Sequence, residues 1–165
     1  MMPDTLAAAP ARIGQVTVAA EPLRPLRPRH EVERVQAIAD LQSELGFTPC
    51  DPRVAASARI VHVQIEPSRM VFDLRRDDEA SVAAHMLSVG PFRAAIREYN
   101  LIVDSHEAAV MEGNAERIQA IDMGRRGLHD SGSALVAARL AGKIAVNHDA
   151  ARRLFTLLCV LQRRD

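Results

Sequence analysis

A single α+β domain is the fold class this sequence predicts, on three observations. Residues 59 to 89 hold three short segments in which apolar and polar residues alternate, separated by clusters of turn formers. On both sides lie stretches whose apolar residues recur at three and four, the spacing of a helix that buries one face. A length of 165 residues suits one domain with a core that needs no staples. Strands joined by short turns are antiparallel neighbours. The expected architecture is therefore an antiparallel three-stranded meander, which short N- and C-terminal strands can extend, packed against about four to five helices.

Taken in order, residues 1–11 form an Ala/Pro-rich leader, expected to be mobile, and residues 12–165 the domain. Arg12 to Val18 alternates weakly and reads as a first strand. Residues 19–29 are a Pro/Arg-rich connector, because each proline pushes its predecessor toward extended conformations. His30 to Leu45 reads as a helix with Val32, Val35, Ile38, Leu41 and Leu45 on its apolar face, and Phe47 to Arg53 as a loop. The meander follows as Arg59–Glu66, Met70–Arg76 and Ser81–Val89, its polar face solvated and its apolar face under helices. Pro91 opens the longest helix, whose stripe of Phe92, Ile96, Tyr99, Ile102, Val103 and Val110 ends at Gly113. Asn114 caps a shorter helix from Ala115 to Met123, which Gly124 terminates. After a loop, Ser131 or Ser133 caps Ala134 to Ala141, closed by Gly142. Residues 143–146 read as a short strand. Asp149 then caps a last helix, Ala150 to Gln162, with Leu154, Leu157, Leu158 and Leu161 facing the core.

Composition narrows the function classes. Lysine plus arginine and aspartate plus glutamate are each 21, so no global field draws the chain to nucleic acid or membrane, and any attraction must be local. Four phenylalanines, one tyrosine and no tryptophan argue against a base-stacking platform, and no reader motif accompanies the arginine doublets. Nucleic acid is thus an unlikely partner class. Residues 1–11 lack the basic and apolar parts of a signal peptide, and no apolar run approaches the roughly 18 residues needed to span a bilayer. With Cys50 and Cys159 read as two reduced thiols, a cytoplasmic location is expected. The six histidines and two cysteines show no ligand spacing, so neither a metal nor another cofactor is predicted. His62 and His85, on neighbouring strands, are the pair that a site assembled in three dimensions would use.

The chemistry concentrates in residues 121–133, Ile-Asp-Met-Gly-Arg-Arg-Gly-Leu-His-Asp-Ser-Gly-Ser. Arg125 and Arg126 are suited to grip a phosphate or carboxylate bidentately, and Gly124 and Gly127 permit close backbone approach. A helix starting after the loop would aim free N–H groups at the anion, with Ser131 and Ser133 as further donors and Lys143 nearby. The bland alternative is an Asp122–Arg126 ion pair at a helix end, with glycines serving only as terminators. A catalytic alternative uses His129 as base beside Asp122 or Asp130, with Ser131 or Ser133 as nucleophile. Neighbours in one loop rarely form such a triad, however. At Asp104 to Glu107, Ser105 and His106 cannot share a helix face, and His106 is expected to be half-buried.

Several of these segments also carry a family resemblance. Residues 121–129, Leu140 to Ile144, Ala151 to Leu161 and Val89 to Arg93 resemble the alphaproteobacterial uncharacterised protein family (UPF) 0262. The likeness runs from about Arg12 to the C-terminus. Asp130-Ser131 departs from it, where the family tends to have Asn-Glu, as does the connector. The resemblance implies no activity, cofactor or catalytic residue. Function is therefore read from the residues. The leading expectation is a non-enzymatic binding protein with an anion-binding loop at 122–133, using Asp122, Arg125, Arg126, His129, Ser131 and Ser133. Its partners would be an anionic small molecule, another protein, or a second copy in a homodimer. The alternative is an enzyme acting on a phosphorylated small metabolite through the same loop.

Overall fold

A computed structural model describes residues 12–164; the expected leader lies outside the described residues. The meander is present as β3 (Ile60–Ile65), β4 (Arg69–Arg75) and β5 (Ser81–Ser88), each antiparallel to the next. The first strand, β1 (Gln15–Ala20), extends it, but runs parallel to β3, so the sheet order is β1-β3-β4-β5 and the sheet is mixed. The parallel pairing is possible because the chain makes a crossover between them, through α1 (Pro28–Gln42), β2 (Phe47–Pro49) and α2 (Pro52–Ser57). Val61, Val63 and Ile65 share the core face with Met70, Phe72 and Leu74, as alternation requires.

The connector is shorter than expected. Ala19 and Ala20 belong to β1, and Pro28 starts α1 at a position where its missing N–H costs nothing. That helix also turns a different face inward. His30, Ala37 and Leu41 are buried, whereas Val32, Val35 and Leu45 are exposed. The segment read as a loop, Phe47 to Arg53, contains β2 and the start of α2, which Asp51 caps through Arg53 N. The C-terminal short strand, β6 (Ile144–Val146), does not extend the main sheet: it pairs antiparallel with β2 in a separate ribbon.

The largest correction concerns residues 124–133. Where two helices and a loop were expected, one helix of 26 residues, α4 (Ala115–Leu140), runs through Gly124, Gly127 and Gly132 without a break. A glycine inside a helix costs about 1 kcal/mol, but two of these allow close packing. A Cβ on Gly132 would stand 2.2–2.5 Å from ring atoms of Phe155, and one on Gly124 would stand 2.9 Å from Cδ1 of Ile102. Dense contact with α3 (Arg93–Glu112) and α5 (His148–Leu161) therefore overrides the local tendency to stop. Real termination occurs where the chain turns back: α3 ends at Gly113, whose φ of 71° suits glycine. The cap of α5 is Asn147, two residues ahead of the expected Asp149. That last helix is the centre of the core, with Leu154, Phe155, Leu157 and Leu158 all fully buried, and it touches α1, α3 and α4.

Candidate functional site

Making residues 122–133 helical changes what they can do. The backbone N–H groups of 131–134 are inside a helix, so no N-terminal donors face an anion there. The case for a site must come from side chains alone. On α4, Asp122 holds both arginines: Arg125 Nη2 lies 2.5 Å from its Oδ1 and Arg126 Nη2 3.0 Å from its Oδ2. The expected Asp122–Arg126 pair is thus present, in mid-helix. The hydrogen bond from Arg125 holds the Asp122 carboxyl below its ordinary range.

These arginines nevertheless open onto a cleft. A space of about 810 Å³ lies between α1, α4 and α5, with Tyr99 of α3 on its wall. Arg125, Arg126 and His129 face it from α4, Arg29 from α1, and Arg152 and Arg153 from α5. Three carboxylates share the lining. Arg153 pairs with Asp40 at 3.6 Å and Arg152 with Asp130 at 3.5 Å, both loose. The third, Glu33, is pushed above the ordinary carboxyl range, mainly by burial, against the opposing pull of His30 and Arg163. Asp122, Ser131 and Ser133 do not line the cleft, and neither does Lys143.

His129 lies on the cleft wall but is 8% exposed. Its ring stacks edge-on against Tyr99 and Phe155, with centroids 5.4 and 5.5 Å away. Nε2 is 2.9 Å from Thr156 Oγ1, and Thr156 gives its own proton to the Arg152 carbonyl at 3.0 Å. Nε2–H must therefore be the donor. Ser133 Oγ similarly donates to the His129 carbonyl at 2.7 Å, so it has no proton left for Nδ1, 3.4 Å away. The neutral ring thus keeps its lone pair against its own helix. Burial, aided by Arg152, pushes the imidazole down to about 4. This arrangement is that of a packed histidine, not a general base facing substrate.

Other candidate residues separate. His62 and His85 are not on neighbouring strands, since β4 stands between β3 and β5. His85 sits opposite Phe72 on the core side, whereas His62 is opposite Asp73 on the outer face. There Thr17 Oγ1 bonds His62 Nδ1 at 2.7 Å. No group of three or more metal-ligating residues gathers among the described residues. Cys50 is exposed, Cys159 is buried, and both are free. His106 is half-buried, as its place on the helix implied.

Sequence reasoning missed Arg29, Glu33, Arg152 and Arg153. Arg152-Arg153 is one of the arginine doublets that no reader motif accompanies, and the cleft appears only when α1 and α5 meet. A signal for Glu33 did exist: His30, Glu33, Ala37 and Leu41 recur at helical spacing, but with two polar members that apolar patterning discards.

Five arginines from three helices line one cleft of an α+β domain, and that arrangement marks the candidate site. The sequence model of the Uncharacterised protein family (UPF0262) matches residues 10–164, and the chain belongs to that family. A UPF0262 protein of Granulibacter bethesdensis is 44% identical over 163 residues, covering 95% of this chain and 93% of its own. Another, of Acidiphilium cryptum, is 48% identical over 139 residues, 84% and 85% of the two chains. A third, of Rhodopseudomonas palustris strain HaA2, is 43% identical over 150 residues, 91% of each. No solved structure matches the chain. None of its helices, among the described residues, is long and apolar enough to cross a membrane.

Proposed function

We propose that this protein acts by binding, and that it takes a phosphate- or carboxylate-bearing ligand in the cleft between α1, α4 and α5. The observation that carries this reading is the convergence of Arg29, Arg125, Arg126, Arg152 and Arg153 on one concave space. Guanidiniums grip such groups bidentately. The pairs that hold Arg152 and Arg153 are long and solvent-exposed, so an incoming anion displaces them at little cost. The tautomer and burial of His129 weigh against proton transfer by that residue.

One observation favours an enzymatic second reading. Glu33 keeps its proton to higher pH than an ordinary carboxyl and lines the same cleft, the condition of a general acid beside a bound phosphate.

The test is a thermal-shift screen of phosphate, pyrophosphate, nucleotides, sugar phosphates and dicarboxylates, followed by calorimetry. One class of ligand should raise Tm by several degrees at saturation. Arg125→Ala/Arg126→Ala and Arg152→Ala/Arg153→Ala should each weaken it roughly tenfold or more, the loss expected for charged hydrogen bonds. A hit that survives in both variants, or no hit at all, would refute the cleft as the site. Turnover of the bound ligand, lost in Glu33→Gln, would turn the conclusion to the enzymatic reading.

A further inference from the structure

A second and larger groove, of about 1160 Å³, lies between the first turn of α1, the length of α3 and the residues that follow α5. Six arginines line it: Arg27, Arg29, Arg93, Arg97, Arg163 and Arg164. Its two carboxylates are both engaged. Glu107 lies 3.4 Å from Arg29 Nη1 and 3.3 Å from His30 Nε2, and Asp104 pairs with Arg163. Arg93, Arg97 and Arg164 make no ion pair or side-chain hydrogen bond with another described residue. Among the described residues, guanidiniums thus outnumber carboxylates along the groove.

Its floor is apolar in part. Ile96, Leu101, Ala108 and Met111 of α3 line it, and Leu101 and Met111 are 61% and 86% exposed. Leu101, Ala108 and Met111 recur at seven and three, so they form one stripe along the helix. From Arg93 to Met111 the wall runs for about 27 Å, at 1.5 Å per residue.

We propose that this groove docks an acidic amphipathic helix of another protein. A trough of that length and volume exceeds what a small molecule fills. Instead it offers the two things that a helix laid in a groove requires: a stripe for apolar anchors, and charge for the partner's flanks. The apolar side chains of the partner sit on Leu101, Ala108 and Met111, and its carboxylates meet Arg93, Arg97 and Arg164. A two-fold dimer through this face is disfavoured, because it would set the same arginines against one another. The site shares only Arg29 with the cleft of the preceding section, and either can fail alone.

The test is fluorescence anisotropy with a labelled synthetic helix of about 18 residues, the length of the wall. It carries leucines at three- and four-residue spacing and glutamates elsewhere. A control of the same composition has the leucine stripe scrambled. Saturable binding is expected, weakened roughly tenfold or more by Arg93→Glu/Arg97→Glu and, separately, by Leu101→Ser/Met111→Ser. Arg125→Ala/Arg126→Ala should leave it unchanged. All four groove positions are exposed enough for the variants to fold, which circular dichroism confirms. Three outcomes would overturn the proposal. Absence of saturable binding removes the site, and equal binding of the scrambled control reduces it to a charged surface. Self-association by light scattering that is abolished in Leu101→Ser/Met111→Ser would make a second copy the occupant.

Discussion

Acidification should unfold this protein partly through one residue, and the size of the effect follows from where His129 sits. In the folded chain its imidazole titrates at about 4, against 6.5 for an ordinary histidine, because burial denies the charged ring its water and Arg152 repels it. Above pH 6.5 the ring is neutral in folded and unfolded chains alike, and stability is unaffected. Between 6.5 and about 4 the unfolded chain takes up a proton that the folded chain refuses, so stability falls as pH falls. Below about 4 both forms are charged and the loss is complete. At roughly 1.4 kcal/mol per pKa unit, the full loss is about 3 kcal/mol. The perturbation that isolates it is His129→Gln, which does not titrate and can still donate to Thr156. Urea unfolding of wild type and variant, measured from pH 7.5 to 4, gives the difference directly. Glu33 acts in the opposite sense, losing stability as pH rises above its unfolded value, but it is common to both proteins and cancels. Wild type should lose about 3 kcal/mol relative to the variant across that window. Parallel curves would refute the buried, neutral ring.

Three further substitutions probe the helix and its packing. Gly127→Ala should stabilise the protein by about 0.5–1 kcal/mol, because its Cβ meets nothing within 4 Å and alanine is the better helix former; a loop at 124–133 would show no such gain on thermal denaturation. Gly132→Ala should do the reverse, costing about 1–3 kcal/mol, since its Cβ would overlap the buried Phe155 ring. Thr156→Val leaves the Nε2–H of His129 without an acceptor, and should lower urea-measured stability by about 1–3 kcal/mol; an unchanged midpoint would mean that water replaces the hydroxyl.

What could be read in advance was whatever rests on local periodicity. Val61, Val63 and Ile65 against Met70, Phe72 and Leu74 announce two strands with one buried face, and the leucines of α5 announce a core helix, because each pattern is complete within its own segment. Phe47–Pro49 is only a strand because Ile144–Val146, about a hundred residues away, pairs with it. Gly124 looks like a helix terminator until Ile102 is seen against it, and Gly132 like part of a loop until Phe155 is. In each case the deciding contact is tertiary, and local propensity points the other way. The candidate site divides along the same line. Arg125, Arg126 and His129 were legible as a dense polar stretch, yet the reasons given for them, a loop and a helix N-terminus, were not those that bring them to the cleft. Arg29, Arg152 and Arg153 come to it from other helices, and nothing around each of them in sequence points there.

Net charge of zero was a sound argument against a global field and a poor one about any single face. Among the described residues, ten of the twenty arginines line one or other of the two grooves, with only five carboxylates. Among the described residues, positive charge is therefore gathered on the helical side, and acidic residues are in excess elsewhere. Concave walls of low dielectric focus such a field, so the anionic partners proposed above would be drawn to the grooves while the protein as a whole remains neutral. At ordinary ionic strength the field is screened within roughly 8 Å, which confines the attraction to ligands already near these walls. Arg29 lines both grooves, held from one of them by Glu107. The first turn of α1 is consequently where the two sites meet, and a buried face built on His30 and Glu33 in place of Val32 and Val35 is what puts it there.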